Sequence, residues 1–239
     1  MSNDNTFESL YKVQASVNKM VVDGKRKPEE VLCYLQRIVD DPDFVRILDA
    51  PQPTIKLIPA DGWVAEWQRF YKEVFDLEVN LADVEIPPEQ PGFGWVVMVA
   101  RGLTLNQAWA KCGERFRTDS YMGHDLDKAI PTNDRTSATV YAKRFRGRVE
   151  ADEENNNLSA DALAERKAQS ITLLERLLME LWYHWKTGEH LDIENVTLCA
   201  GSRDSDGRVP GVDWHGGRLS VGCFYLGYAI GGIRARSAV

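Results

Sequence analysis

The chain has 239 residues, 44% of them hydrophobic and 10% aromatic, which is enough apolar material for one sizeable core or two modest ones and too much for disorder throughout. Its formal charge of -7 opposes general binding to a phosphate backbone, which depends on clustered Lys and Arg, so nucleic acid is not an expected partner. No stretch approaches the ~20 uninterrupted apolar residues of a membrane-spanning helix, and the longest run, Trp95 to Ala100, has the length of a strand.

The polar start, Met1 to Glu8, lacks a basic segment and an apolar signal core, which predicts synthesis in the cytoplasm and leaves the final location open. Cys33, Cys112, Cys199 and Cys223 are scattered without close pairs, a pattern that fits neither a dense disulfide framework nor a zinc ribbon. Reduced, mostly buried thiols are expected.

The first ninety or so residues read as helical with proline breaks. Behind Pro28, Val31, Leu32, Leu35 and Ile38 recur at helical spacing and predict a helix over 29–39, with a short second one over 44–48. Pro51, Pro53 and Pro59 interrupt. Trp63, Trp67, Phe70, Tyr71 and Val74 then repeat at three and four residues, a stripe that reads as a buried helix face rather than a binding box. After Pro87, Pro88 and Pro91, the run 93–100 predicts a buried strand ended by Gly102, and 104–116 predicts a helix with Leu105, Ala108, Trp109 and Cys112 on one face. The polar stretch 117–136 has no periodicity and is expected to be a long surface loop.

Residues 138–145 alternate Val140, Ala142 and Arg144 against Thr139, Tyr141, Lys143 and Phe145, predicting a strand with one aromatic face, and 150–157 reads as a solvated acidic loop. Thr172 and Glu175 then stand in capping-box spacing ahead of Leu173, Leu174, Leu177, Leu178, Leu181, Trp182 and Trp185, with Gly188 as the stop. So wide a stripe needs cover from a sheet or other helices. Beyond it the chain breaks into short predicted strands at 196–200, 211–215, 218–225 and 232–238, with Gly216 and Gly217 as a hairpin turn. Alternation directs Val212, Trp214, Leu219 and Val221 inward and Asp213, His215, Ser220 and Gly222 outward.

The run Cys199-Ala200-Gly201-Ser202, then Ser205-Asp206-Gly207, Trp214 and Gly231-Gly232-Ile233-Arg234-Ala235-Arg236 resembles the end of a C-type-lectin-like domain of the formylglycine-generating-enzyme type. That family carries a Gly-Gly-Ser strand, a glycine-bearing loop, exposed strands and a closing Gly-Phe-Arg strand; here Ala200 replaces the first glycine and Ile233 the phenylalanine. Variable proteins of diversity-generating retroelements resemble the same subfamily and place their diversified codons in this segment. Uncharacterised proteins of candidate-phylum bacteria share the Leu-Leu-Glu-Arg-Leu-Leu helix and the ending at 233–239.

The resemblance covers 138–239. It implies a C-type-lectin-like, ligand-binding domain over 138–239 whose variable face lies at 203–230, and with the mainly helical region and one strand-helix unit that the residue pattern gives over 1–137 the chain is expected to be α+β. The resemblance also implies that 138–145 pairs with 232–238. The expected binding residues are Asp204, Arg208, Asp213, His215, Arg218, Ser220, Phe224, Tyr225 and Tyr228, a mixture of aromatic anchors, charge and hydrogen-bonding groups. Strand alternation makes core packing the alternative for Phe224 and Tyr225. The partner would be a protein or surface ligand, with the amino-terminal helices available for a homo-oligomer contact.

Other chemistry finds weaker support. A cysteine nucleophile needs a histidine within reach and a group to orient it, and Cys199 and Cys223 do not match the paired cysteines of the formylglycine-generating enzymes, so that activity is not carried over and no enzyme is expected. Asp204, Asp206 and the Gly207 carbonyl open like a calcium loop without its distal glutamate, and a polar turn with Asx hydrogen bonds is the preferred reading of them. His184, Glu189 and His190 near a helix end suggest zinc or simply a favourable helix carboxy terminus. No cofactor or metal is assigned. Two alternatives stay open: a phage or cell-surface assembly protein with a fixed binding face, and a cysteine-dependent enzyme.

Overall fold

The computed structural model describes residues 3–24, 28, 31 and 62–239. The chain divides into two units, Met1–Pro53 and Thr54–Val239. In the first, α1 (Asn3–Val22) is a 20-residue helix with Tyr11 and Val22 exposed. The helices expected at 29–39 and 44–48 and the prolines that follow them lie outside the described residues, except Val31, which is helical. No described helix is long and apolar enough to cross a membrane.

The second unit is α+β. α2 (Trp63–Phe70) runs into a π turn (Tyr71–Phe75), and its aromatic stripe is core: Trp67, Phe70 and Tyr71 are fully buried. Trp67 Nε1 and Tyr71 Oη donate to the carbonyls of Val96 and Met98, at 2.8 Å each, so both buried rings have their polar atoms satisfied. β1 (Trp95–Val99) is buried at every residue, and α3 (Leu105–Arg115) starts in a Thr104–Gln107 capping box. The expected loop over 117–136 instead holds β2 (Thr118–Ser120), α4 (Leu126–Ala129) and β3 (Thr132–Asn133), with Leu126 and Ile130 in the core. Elements this short do not complete a pattern that periodicity can register.

β4 (Tyr141–Phe145) pairs antiparallel with β1, Trp95 opposite Phe145. Tyr141 and Phe145 of the expected aromatic face both pack on the core, but so do Val140 and Ala142 of the opposite face, and buried Arg144 donates from Nε to the Pro87 carbonyl (2.6 Å). A 3₁₀ turn (Glu153–Asn155) and α5 (Ala160–Glu165) occupy the next stretch. α6 (Leu173–Thr187) has the expected capping box and ends at Gly188 in the left-handed region (φ 77°), a conformation glycine adopts without steric cost. All of Leu173 to Tyr183 is buried.

β5 (Val196–Leu198), β6 (Ser202–Arg203), β7 (Val209–His215), β8 (Arg218–Phe224) and β9 (Ile233–Ala235) follow. The main sheet has the order β2-β8-β7-β5-β9. Gly216 (φ 58°) and Gly217 (φ 71°) turn the β7–β8 hairpin, the two positive φ angles that a tight two-residue turn demands. The expected pairing of 138–145 with 232–238 does not form. β9 lies parallel to β5, β4 gives its ladder to β1, and only the chain end reaches β4, where Arg144 and Val239 exchange N–H···O bonds (3.0 and 3.1 Å). Because β1 pairs with β4 and β2 with β8, residues on both sides of the expected 137/138 boundary belong to one unit.

The sheet's inner face lies against the α6 core. Val212, Leu219 and Val221 are fully buried in the same cluster as α6, and Trp214 is partly buried against it. Beside them sits a buried charge network. Arg176 donates to Asp192 (Nε, 2.8 Å) and Glu180 (2.8 Å), Arg236 donates to Asp192 (2.6 Å) and to the carbonyls of Arg148 and Val149, and the Thr197 hydroxyl donates to Asp192. Four charges cancel in pairs, so none is left uncompensated away from water.

Candidate functional site

The hairpin register decides which side chains share the outer face. Asp213 stands opposite Ser220, His215 opposite Arg218, and Gly211 opposite Gly222. β2 extends the face, with Asp119 level with Ser220, and Arg218 reaches Asp119 at 3.4 Å. At the other end the same face is covered. Leu198, Val209, Ile233 and Ala235 form a second apolar cluster with Ala160 and Leu163 of α5, and the Phe224 ring lies over Gly211, where a Cβ would come within 2.3 Å of it. The outer face is thus half core and half open, and the open half is bounded by β2, the hairpin tip and Gly222.

Four of the expected binding residues, Asp213, His215, Arg218 and Ser220, are brought together on that open half. Asp213, His215 and Arg218 are half-exposed, but Ser220 is only 8% exposed, because it lies mid-strand with β2 and β7 on either side. Phe224 and Tyr228 belong to the covered half. Their rings stack at 5.7 Å and pack on the second cluster, so core packing describes them better than contact. Tyr225, next along the chain, is 75% exposed.

Asp204 corrects the expectation most clearly. It is 4% exposed, and its carboxylate accepts the backbone N–H groups of Asp206 (3.0 Å) and Arg208 (2.7 Å) and the Arg208 Nε (2.8 Å). It therefore shapes the 204–208 loop as an Asx turn, with its oxygens already engaged by the protein. Arg208 is held by Asp204 and Asp206, and those carboxylates push its pKa up.

Arg208 also lines a cleft of about 510 Å³ between the 121–129 segment and the 204–208 loop, with Tyr121, His124, Lys128, Ser205 and Cys223. Tyr121, 75% exposed, links cleft and face: its ring edge lies 3.9 Å from where a Gly222 Cβ would stand. Sequence reading placed none of Asp119, Tyr121, His124 or Lys128 at the site, because they fall in the segment expected to be loop. The one signal was a tyrosine amid polar residues. Asp125, on the cleft wall, caps α4 through Lys128 N and accepts from Asn106, and the Asn106 hydrogen bond holds its carboxyl below the usual range.

Neither carboxy-terminal thiol is activated. Burial pushes Cys223 up, opposed by Arg208, and burial pushes fully buried Cys199 well above the usual thiol range; a protonated thiol is a poor nucleophile. His124 lines the same cleft as Cys223, but no hydrogen bond joins them. Among the described residues, no three His, Cys, Asp or Glu side chains converge as a metal site would require. His184 and His190 instead stack on each other (4.8 Å), and His190 Nδ1 lies 2.8 Å from Glu180 Oε1.

No family model, curated protein or solved structure matches the chain.

Proposed function

We propose that the chain is a target-recognition protein that displays its binding surface on the open half of the outer sheet face, on a C-type-lectin-like scaffold diversified by a retroelement. The carrying observation is the division of labour along one hairpin. Asp213, His215 and Arg218 are partly exposed while the inward residues of the same strands, Val212, Leu219 and Val221, are fully buried and Trp214 is partly buried against the core. Outward residues can therefore change without disturbing the register that inward ones hold. Tyr121 adds an exposed aromatic ring beside the charged patch, the composition that binding surfaces favour. The partner is a protein or surface ligand, and contact centres on Tyr121, Asp213, His215 and Arg218.

Sequencing the coding segment for 203–230 in closely related isolates tests the reading. Substitutions should concentrate at 213, 215, 218 and 225 and spare 212, 216, 217, 219 and 221, with a reverse transcriptase gene and a near-copy of the segment close by. A segment that is invariant, with neither neighbour, replaces this reading with a fixed binding or assembly face. Substitutions spread evenly over buried and exposed positions defeat it.

A further inference from the structure

Four rings meet under the hairpin tip. His190 lies flat on Trp214, centroids 3.3 Å apart and planes 7° from parallel, and His184 stacks on the far side of the pair at 4.8 Å from His190. Phe116 sets its edge against His184, His190 and Trp214 at 5.1, 5.0 and 5.7 Å. Trp214 itself opposes Leu219 in the hairpin, and its backbone N–H donates to the Asp192 carbonyl (2.9 Å). These rings hold the inner side of the strands whose outer side carries Asp213, His215 and Arg218.

The two imidazoles are held unequally. His190 Nδ1 lies 2.8 Å from the Glu180 carboxylate, whereas His184 Nδ1 is enclosed without a hydrogen-bond partner. Since a protonated imidazole donates from both nitrogens, charging His184 leaves a buried donor unmatched.

The surrounding charges are Arg176 and Glu180 on α6, Arg115 and the Cys112 thiol of α3, Glu189 and Asp192 of the following loop, and Arg236 beyond β9. Glu180 already serves Arg176 and His190, and Asp192 serves Arg176, Arg236 and Thr197. Neither carboxylate is free to receive His184.

We propose that the recognition face is acid-gated: protonation of His184 expels its ring from the stack on His190, unseats Trp214 and loosens the β7–β8 hairpin. This regulation rests on the recognition reading for its purpose, while the opening itself does not. Burial, then the neighbouring His190, lowers the His184 pKa from its ordinary 6.5. The folded state therefore favours neutral His184. Its contribution to stability is complete above the unfolded value and is lost as the pH falls below it, because the open state binds the extra proton.

Hydrogen exchange on the intact chain, corrected for intrinsic rates, tests this without a ligand. Protection of the 209–224 amides should fall by up to roughly tenfold per pH unit below about 6.5, while the amides of α2 and β1 keep theirs. His184→Phe, which replaces the unmatched ring by an apolar one of similar shape, should abolish the fall; His184→Leu is the second variant if the first does not fold. His215→Gln should keep the fall. Protection that is independent of pH, a fall that persists in the His184 variants, or one that His215→Gln abolishes overturns the proposal. If the hairpin opens in acid but the 203–230 substitutions prove evenly spread, the recognition reading fails and the acid response stands.

Discussion

The two faces of the β7–β8 hairpin are built from alternating residues of the same strands, yet they answer to different physics. Inward, Val212, Leu219 and Val221 have no exposure and Trp214 is packed against His190 and Phe116; any change there alters volume in a close-packed interior. Outward, Asp213, His215 and Arg218 stand half-exposed beside β2, where solvent compensates most exchanges. Strand alternation alone makes one ribbon both rigid and replaceable. The comparison also shows a limit, because the outer face is replaceable only over its open half; toward Gly211 and Phe224 a second core begins.

The inner face should break hardest where charge is buried. Asp192→Ala leaves Arg176 and Arg236 without their shared partner, and urea denaturation should show a loss of about 3–5 kcal/mol, the usual cost of stripping one member from a buried ion network. A loss below about 1 kcal/mol would mean that water enters and the inner face is less closed than its burial indicates.

Trp214→Ala should rank next. A fully buried tryptophan costs about 3–5 kcal/mol when truncated, and Trp214, being half-buried, should lie at or just below the lower end, read by the same denaturation. The smallest effects belong outside: His215→Ala and Arg218→Ala should each change stability by about 0.5 kcal/mol or less, since the 3.4 Å pair of Arg218 with Asp119 is at the surface, both side chains being more than a third exposed. Thermal melts would expose an error directly. If His215→Ala unfolds the unit, the outer face is core and no recognition surface exists there.

Much of this was legible beforehand wherever a pattern repeats locally. α6, with its Thr172–Glu175 box and Gly188 stop, and the hairpin with its two glycines need only neighbours in sequence to be defined. The Asx turn at Asp204 was also readable, and its bonds to Asp206 and Arg208 form; what the tertiary structure added is that the carboxylate is buried by them and is therefore no contact residue.

The amino-acid sequence by itself determined the alternation of the hairpin, the spine helix and the buried valine strand, because periodicity and capping are properties of consecutive residues. Only the tertiary structure decided that β2 joins β8, that β9 runs parallel to β5, and that Tyr121 stands beside Gly222. Those contacts join residues distant along the chain, and their partners are chosen by which surfaces remain uncovered once the core has closed, a choice no local pattern encodes.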